Sequence, residues 1–145
     1  MDMLDGINIY VIIFWGHSLG GAVVTDIASR EKFKGVILEG TFTRLEDMKN
    51  YAARFQSKNI LQEILNRILY NSIPLTQKFE SINKVSKIKS TLLILHARFD
   101  RIVPSWMSKK LAEKNRHANL FISDKGTHED SVWNNDAILG FIKKL

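Results

Sequence analysis

Residues 12–23 read IIFWGHSLGGAV: an apolar, partly β-branched run that stops at a glycine, a histidine and a serine, then continues through two glycines into small residues. An apolar run of this kind, short and without polar alternation, predicts a strand covered on both faces. The next segment, Leu19–Arg30, carries a helical pattern that is small and apolar at its start. A buried strand that turns within three residues into a helix restricts the chain to layered α/β architecture.

The rest of the chain repeats that theme. Four segments predict strands buried on both faces: Ile9–Trp15, Val36–Glu39, Thr91–Ala97 and Leu120–Ile122. Helical patterns separate them, at Leu19–Arg30, Leu45–Phe55, Ile60–Tyr70, Ser105–Asn115 and Asp130–Lys144. Pro104 precedes the fourth of these, suiting a first helical turn. The segment Ile60–Tyr70 sets Ile60, Leu61, Ile64, Leu65, Ile68 and Leu69 on one broad apolar face. The connection 41–90 is the longest and holds more than one helix. With no internal repeat, linker or low-complexity tract, residues 1–145 read as a single domain.

Composition narrows the function classes. A chain of 145 residues with 45% hydrophobic and 25% charged content is ordinary for a folded domain. It has no cysteine, which removes disulfides, cysteine zinc sites and thiol nucleophiles, and fits a reducing cytoplasm. The net charge of +6 comes from lysines spread along the chain, as at Lys32/Lys34, Lys84/Lys87/Lys89, Lys109/Lys110 and Lys143/Lys144. Nothing interleaves them with aromatics or a base-reading motif, so nucleic acid is not the expected partner. The run Ile9–Trp15 is far shorter than the roughly 20 residues that cross a bilayer. Asp2 and Asp5 precede it, where a leader peptide would carry basic residues.

Gly16-His17-Ser18-Leu19-Gly20 fits G-x-S-x-G, with a strand before it and a helix after it. A sharp strand-to-helix turn strains the serine backbone and needs small neighbours, a demand that Gly16 and Gly20 answer. The turn lifts the Ser18 hydroxyl to the carboxyl edge of the sheet, at the positive end of the next helix. The Leu19 N–H then points where an oxyanion would develop.

GHSLGGAV, followed by GVILEGTF, LLILHARFDRIVP and GTHED, resembles the α/β-hydrolase superfamily, in particular its serine-aminopeptidase-like and ABHD-type esterases. The resemblance covers nearly the whole chain, as the second half of that fold. It implies a partial α/β-hydrolase fold: a parallel sheet of about four strands, the family's fifth to eighth, flanked by helices. It also implies a serine hydrolase without metal or organic cofactor, acting on an ester, thioester or small amide.

A serine hydroxyl needs a histidine to take its proton and a carboxylate to orient that histidine. Of four histidines, His17 adjoins Ser18 and is expected to shape the elbow and contact substrate, while His117 falls on the opposite, amino edge of the sheet. His96, near the end of the third strand, and His128, in the loop after the fourth, both lie on the correct edge. The resemblance selects His128 as base and gives the LLILH position, His96, no catalytic part. It likewise places the acid at Asp100, with Glu39, at the carboxyl end of the second strand, the rival and Asp124 a weaker one. Ala97 stands where the family often has glycine, adding a methyl beside the loop of Asp100. Phe42 and Trp106 are the expected substrate contacts, with Met48 and Phe55 further pocket candidates, while Trp133, just after His128, is placed to brace the base or to pack. The connection 41–90 is where such folds insert lid or cap helices.

Two departures from the family pattern stand out. Only 17 residues precede Ser18, too few for the strands and the oxyanion loop that family members carry there, and no HGGG or HG-x-x-G segment occurs. The strand 9–15 would then expose an apolar edge, open to self-association or to an N-terminal half. The rival readings are a catalytically impaired, truncated remnant acting as a half-domain or partner-binding protein, and a module binding an anion at the helix after Ser18.

Overall fold

The computed structural model describes residues 8–54, 78–129 and 135–145. The helical face Ile60–Leu69, Phe55, Trp133 and part of the 41–90 connection lie outside the described residues. Four strands, β1 (Ile13–His17), β2 (Gly35–Glu39), β3 (Thr91–Ala97) and β4 (Asn119–Ser123), form one sheet in the order β1-β2-β3-β4. Every pairing is parallel, with Gly16 opposite Leu38, Leu38 opposite Ile94, and Ile94 opposite Leu120. All four strands therefore end on one edge, where α1 (Leu19–Ala28) begins. The other α-helices among the described residues are α2 (Leu45–Arg54), α3 (Ser81–Lys84), α4 (Trp106–Lys114) and α5 (Asn135–Ile142).

The first strand differs from its sequence expectation. Ile9–Val11 form a 3-10 turn, and β1 starts at Ile13 and runs on to His17. The pairing of β1 with β2 carries it through Gly16 to the elbow. Burial on both faces holds for β2 and β3 but not for the outer strands. Trp15 is 47% exposed, and Leu120 and Phe121 of β4 are 39% and 40% exposed.

The central strands sort their side chains by the period of two that a pleated strand imposes. Val36, Leu38, Leu92 and Ile94 face one side and pack with Val24 and Ala28 of α1 and Leu111 of α4. Ile37, Leu93 and Leu95 face the other and pack with Ile138 and Phe141 of α5. Ile37, Leu38, Ile94, Leu95 and Leu111 are fully buried, each worth about 1.5–3 kcal/mol relative to exposure.

A third cluster lies toward the carboxyl edge: Ala22, Phe42, Met48, Val103 and Met107, with Leu19, Leu45, Tyr51, Phe79 and Ile102 against it. It packs the start of α1, α2 and the loop before α4 into one floor. Backbone bonds from Ile82 N to Thr43 O (3.0 Å) and from Leu45 N to Lys78 O (3.4 Å) tie the two described ends of the long connection together.

Candidate active site

Ser18 stands at the junction of β1 and α1 with φ 53° and ψ −120°, a left-handed conformation that costs a non-glycine residue about 1–3 kcal/mol. Its neighbours hold it there. Ser18 N donates to Glu39 O at 2.8 Å, while Ser18 O accepts from Thr41 Oγ1 at 2.8 Å and from Gly21 N at 3.0 Å. Leu19 opens α1, so its N–H belongs to the first turn, where the helix itself offers no acceptor.

The steric roles of the glycines are distributed differently from the sequence expectation. A Cβ on Gly16 would lie 2.4 Å from Gly20 O, so the strand and helix backbones meet there. A Cβ on Gly20 meets nothing within 4 Å. The second close approach is at Gly21, where a Cβ would lie 2.5 Å from the Thr41 Cβ. Gly16 and Gly21, not Gly16 and Gly20, let the segments pack.

The carboxyl ends of β3 and β4 bring two further residues to Ser18. His128 Nε2 lies 2.9 Å from Ser18 Oγ, and His128 Nδ1 lies 2.7 Å from Asp100 Oδ2. Since a carboxylate only accepts, Nδ1 carries the proton and Nε2 is left to accept from the serine hydroxyl. The other carboxylate oxygen, Asp100 Oδ1, accepts from Ile102 N at 2.8 Å and Val103 N at 2.9 Å. Burial alone would raise the Asp100 pKa. Hydrogen bonds from His128 and His96, the His128 charge and the Val103 N–H outweigh burial and hold it well below the ordinary carboxylate range. The loop accommodates Ala97, which is buried, and Asp100 N donates to Ala97 O at 3.2 Å.

The rival candidates sit elsewhere. His96 is fully buried with its Nε2 3.2 Å from Asp100 Oδ2, in contact with the acid and not with Ser18. Glu39 is buried and accepts from Trp15 Nε1 at 2.9 Å. Asp124 pairs with Arg98, and His117 is exposed next to Asn115.

His17, expected to shape the elbow, also touches His128. Its Nε2 donates to the His128 carbonyl at 2.7 Å, and the two rings lie 4.9 Å apart. Trp15, His17, Glu39 and Glu129 line a cleft of about 250 Å³ on the β1 side. Phe42 is buried in the floor cluster, and Trp106 is 37% exposed with Lys110 over its ring. Tyr51 of α2 belongs to the same floor, and burial, with the Asp100 charge, raises its pKa.

Sequence reasoning missed Gly40 and Thr41. Gly40 follows β2 at φ 54°, and a Cβ there would lie 3.4 Å from His128 Nδ1 and 3.7 Å from Asp100 Oδ2. The signal available was the Glu39-Gly40-Thr41 sequence directly after a buried strand, where a glycine marks a turn or a close approach. Among the described residues no group of three or more histidine, aspartate or glutamate side chains is arranged to hold a metal, and no helix is long and apolar enough to cross a membrane.

No family model matches the chain. Human protein ABHD12B is 34% identical over 116 residues, which is 74% of this chain and 31% of that protein. The lysophosphatidylserine lipase ABHD12 of Danio rerio is 33% identical over 109 residues, 69% of this chain and 28% of that protein. The chain thus spans less than a third of the length of these curated relatives. Among solved structures, an α/β fold family hydrolase from Bacillus anthracis superposes with TM-score 0.68 at 17% identity, over 97% of this chain and 69% of that one. Acetyl xylan esterase 1 from Thermoanaerobacterium gives TM-score 0.68 at 18% identity, over 95% and 46%. A meta-cleavage product hydrolase, CumD, gives 0.63 at 19% identity, over 98% and 68%. These structures share the fold.

Proposed function

This chain belongs to the α/β-hydrolase superfamily, spanning part of that fold, and on that premise we propose that it is a serine hydrolase cleaving a carboxylic ester, thioester or small amide. The observation that carries the reading is the unbroken line from Asp100 Oδ2 through His128 to Ser18 Oγ, at 2.7 and 2.9 Å. Serine on a strained elbow, a tautomer fixed by a buried anion, and a helix N-terminus together suit acyl transfer.

In this reading Ser18 Oγ attacks the acyl carbonyl carbon while His128 Nε2 takes its proton. The carbonyl electron pair moves onto oxygen, which the Leu19 N–H receives. As the intermediate collapses, the bond to the leaving group breaks and His128 returns the proton to it. A water molecule then attacks the Ser18 ester with His128 again as base, releasing a carboxylic acid. Asp100 stabilises the imidazolium throughout and keeps the ring in register. A second N–H donor at the oxyanion adds about 10²–10³ in rate where one is supplied.

Phe42 in the floor and Trp106 at the start of α4 are assigned to the acyl side, with lid helices from the 41–90 connection and residues 1–145 as one domain. The name of the zebrafish relative makes a lysophospholipid ester the first natural substrate to try. A cytoplasmic location is part of this proposal, and a cysteine-free sequence fits it. A second reading rests on β1, which among the described residues pairs on one side alone, with β2. Its outer edge is then the place for self-association or for another part of the fold, and the chain acts by binding.

Covalent labelling with a fluorophosphonate probe separates the two. The hydrolase reading expects labelling that vanishes in Ser18→Ala and falls at least about a hundredfold in His128→Ala. Folded protein that takes no label overturns it.

A further inference from the structure

Two histidines contact Asp100, and only one of them reaches the serine. His96, the penultimate residue of β3, has no exposed surface and is a polar ring inside the sheet that the acyl-transfer steps do not use. Its Nε2 lies 2.8 Å from Val103 O and 3.2 Å from Asp100 Oδ2, and its Nδ1 lies 2.6 Å from Ser108 Oγ on α4. A carbonyl and a carboxylate both only accept, so Nε2 carries the proton. Nδ1 is then the acceptor, and the buried Ser108 hydroxyl donates to it.

These bonds close a ring around the acid. Val103 donates from its N–H to Asp100 Oδ1 and accepts at its carbonyl from His96, whose N–H also faces Asp100 Oδ2. Asp100 therefore has N–H groups on both oxygens: Ile102 and Val103 at Oδ1, His128 and His96 at Oδ2. A carboxylate held on both sides cannot rotate without breaking buried bonds, each costly to leave unmade. The titratable groups that bear on it are His96 from β3, His128 from the loop after β4, and Tyr51 from α2.

Resting on the hydrolase reading for its kinetic consequence, we propose that His96 is a positioning residue. Ser108 fixes its tautomer, and its Nε2–H pins both Asp100 and the Val103 peptide so that Oδ2 stays aimed at His128. The function of a buried histidine at this place is to leave Asp100 one orientation and to share its negative charge with His128.

The test compares His96→Phe, which keeps a ring and removes both nitrogens, with His96→Gln, whose amide restores an N–H near the Nε2 position. Folding of each is checked by circular dichroism and thermal unfolding. In ¹⁵N-histidine NMR the wild type is expected to show His96 protonated at Nε2 alone and a protected His128 Nδ1–H resonance. The expected result in His96→Phe is loss of that His128 resonance, a fluorophosphonate labelling rate lowered about 10- to 100-fold, and an acid limb of the rate profile moved to higher pH. The limb moves because a carboxylate with one N–H fewer holds the His128 proton more tightly. His96→Gln recovers the resonance and most of the rate. His96→Phe that keeps both resonance and rate overturns the proposal and leaves the hydrolase reading intact. So does a wild-type His96 protonated at Nδ1. Wild type that takes no label but loses the His128 resonance in His96→Phe refutes the hydrolase reading while the positioning role stands. Should His96→Phe not fold, Ser108→Ala carries the same test, with the His96 tautomer as its readout.

Discussion

His17 and His128, 111 positions apart in sequence, are joined by a 2.7 Å hydrogen bond from the His17 ring to the His128 backbone carbonyl. The residue before the serine thereby clamps the loop that carries His128. One backbone unit fixes both partners, since His17 and Ser18 are consecutive. His17→Ala is expected to lower the fluorophosphonate labelling rate about fivefold with little loss of stability. The bond is exposed, and such a bond contributes about 0.5–1.5 kcal/mol. Labelling at the wild-type rate in His17→Ala would remove the clamp from the site.

The glycines on the two sides of Ser18 should respond in opposite ways. In Gly16→Ala the new methyl meets the Gly20 carbonyl at 2.4 Å, and neither backbone can yield without moving β1 off α1. A loss of at least about 3 kcal/mol is expected, or failure to fold. Gly20 is helical and has open space at its Cβ position, so Gly20→Ala should stabilise the protein by about 0.5–1 kcal/mol through helix propensity. Urea unfolding of both variants measures the contrast. Equal destabilisation would contradict the geometry of the elbow.

These two glycines also mark how far the sequence could be read. The strand, turn and helix around Ser18 were legible because burial, turn chemistry and helix pattern agree locally. The parallel sheet was legible in short apolar runs without polar alternation, separated by helical patterns. Which glycine sits at a close approach depends on Thr41, 20 residues downstream of Gly21, and no local pattern encodes that contact. For the same reason the start of β1 was misplaced: Ile9–Val11 are apolar enough for a strand, but the pairing with β2 begins only at Ile13 opposite Gly35. Strand burial was overstated at the sheet edges, because apolar composition does not distinguish an outer strand from a central one. At the site, His96 and His128 were separable only by resemblance. Both lie at the same edge of the sheet, and only the fold shows one beneath Asp100 and the other between Asp100 and Ser18.

The depressed Asp100 carboxyl gives a pH prediction with a definite sign. Its pKa is lower in the folded protein than the ordinary value of 3.8, so the unfolded chain binds its proton first as the pH falls. Asp100 therefore contributes stability that is fully present above that ordinary value and is lost as the pH drops toward the folded-state value. Asp26, lowered by its hydrogen bond to Lys84 against a smaller opposing effect of burial, acts in the same direction. Asp26 is partly exposed, so solvent screens its contribution, whereas the Asp100 side chain is 1% exposed. Asp100→Asn should thus lower stability at pH 7 and flatten the decline of stability below about pH 4, because the variant has no proton to take up there. Asp26→Asn should flatten it much less. Urea unfolding of the three proteins at intervals from pH 7 to the acid limit reads this directly. An Asp100→Asn curve parallel to the wild type throughout would mean that the ring of N–H groups around this carboxylate does not hold it in its charged form.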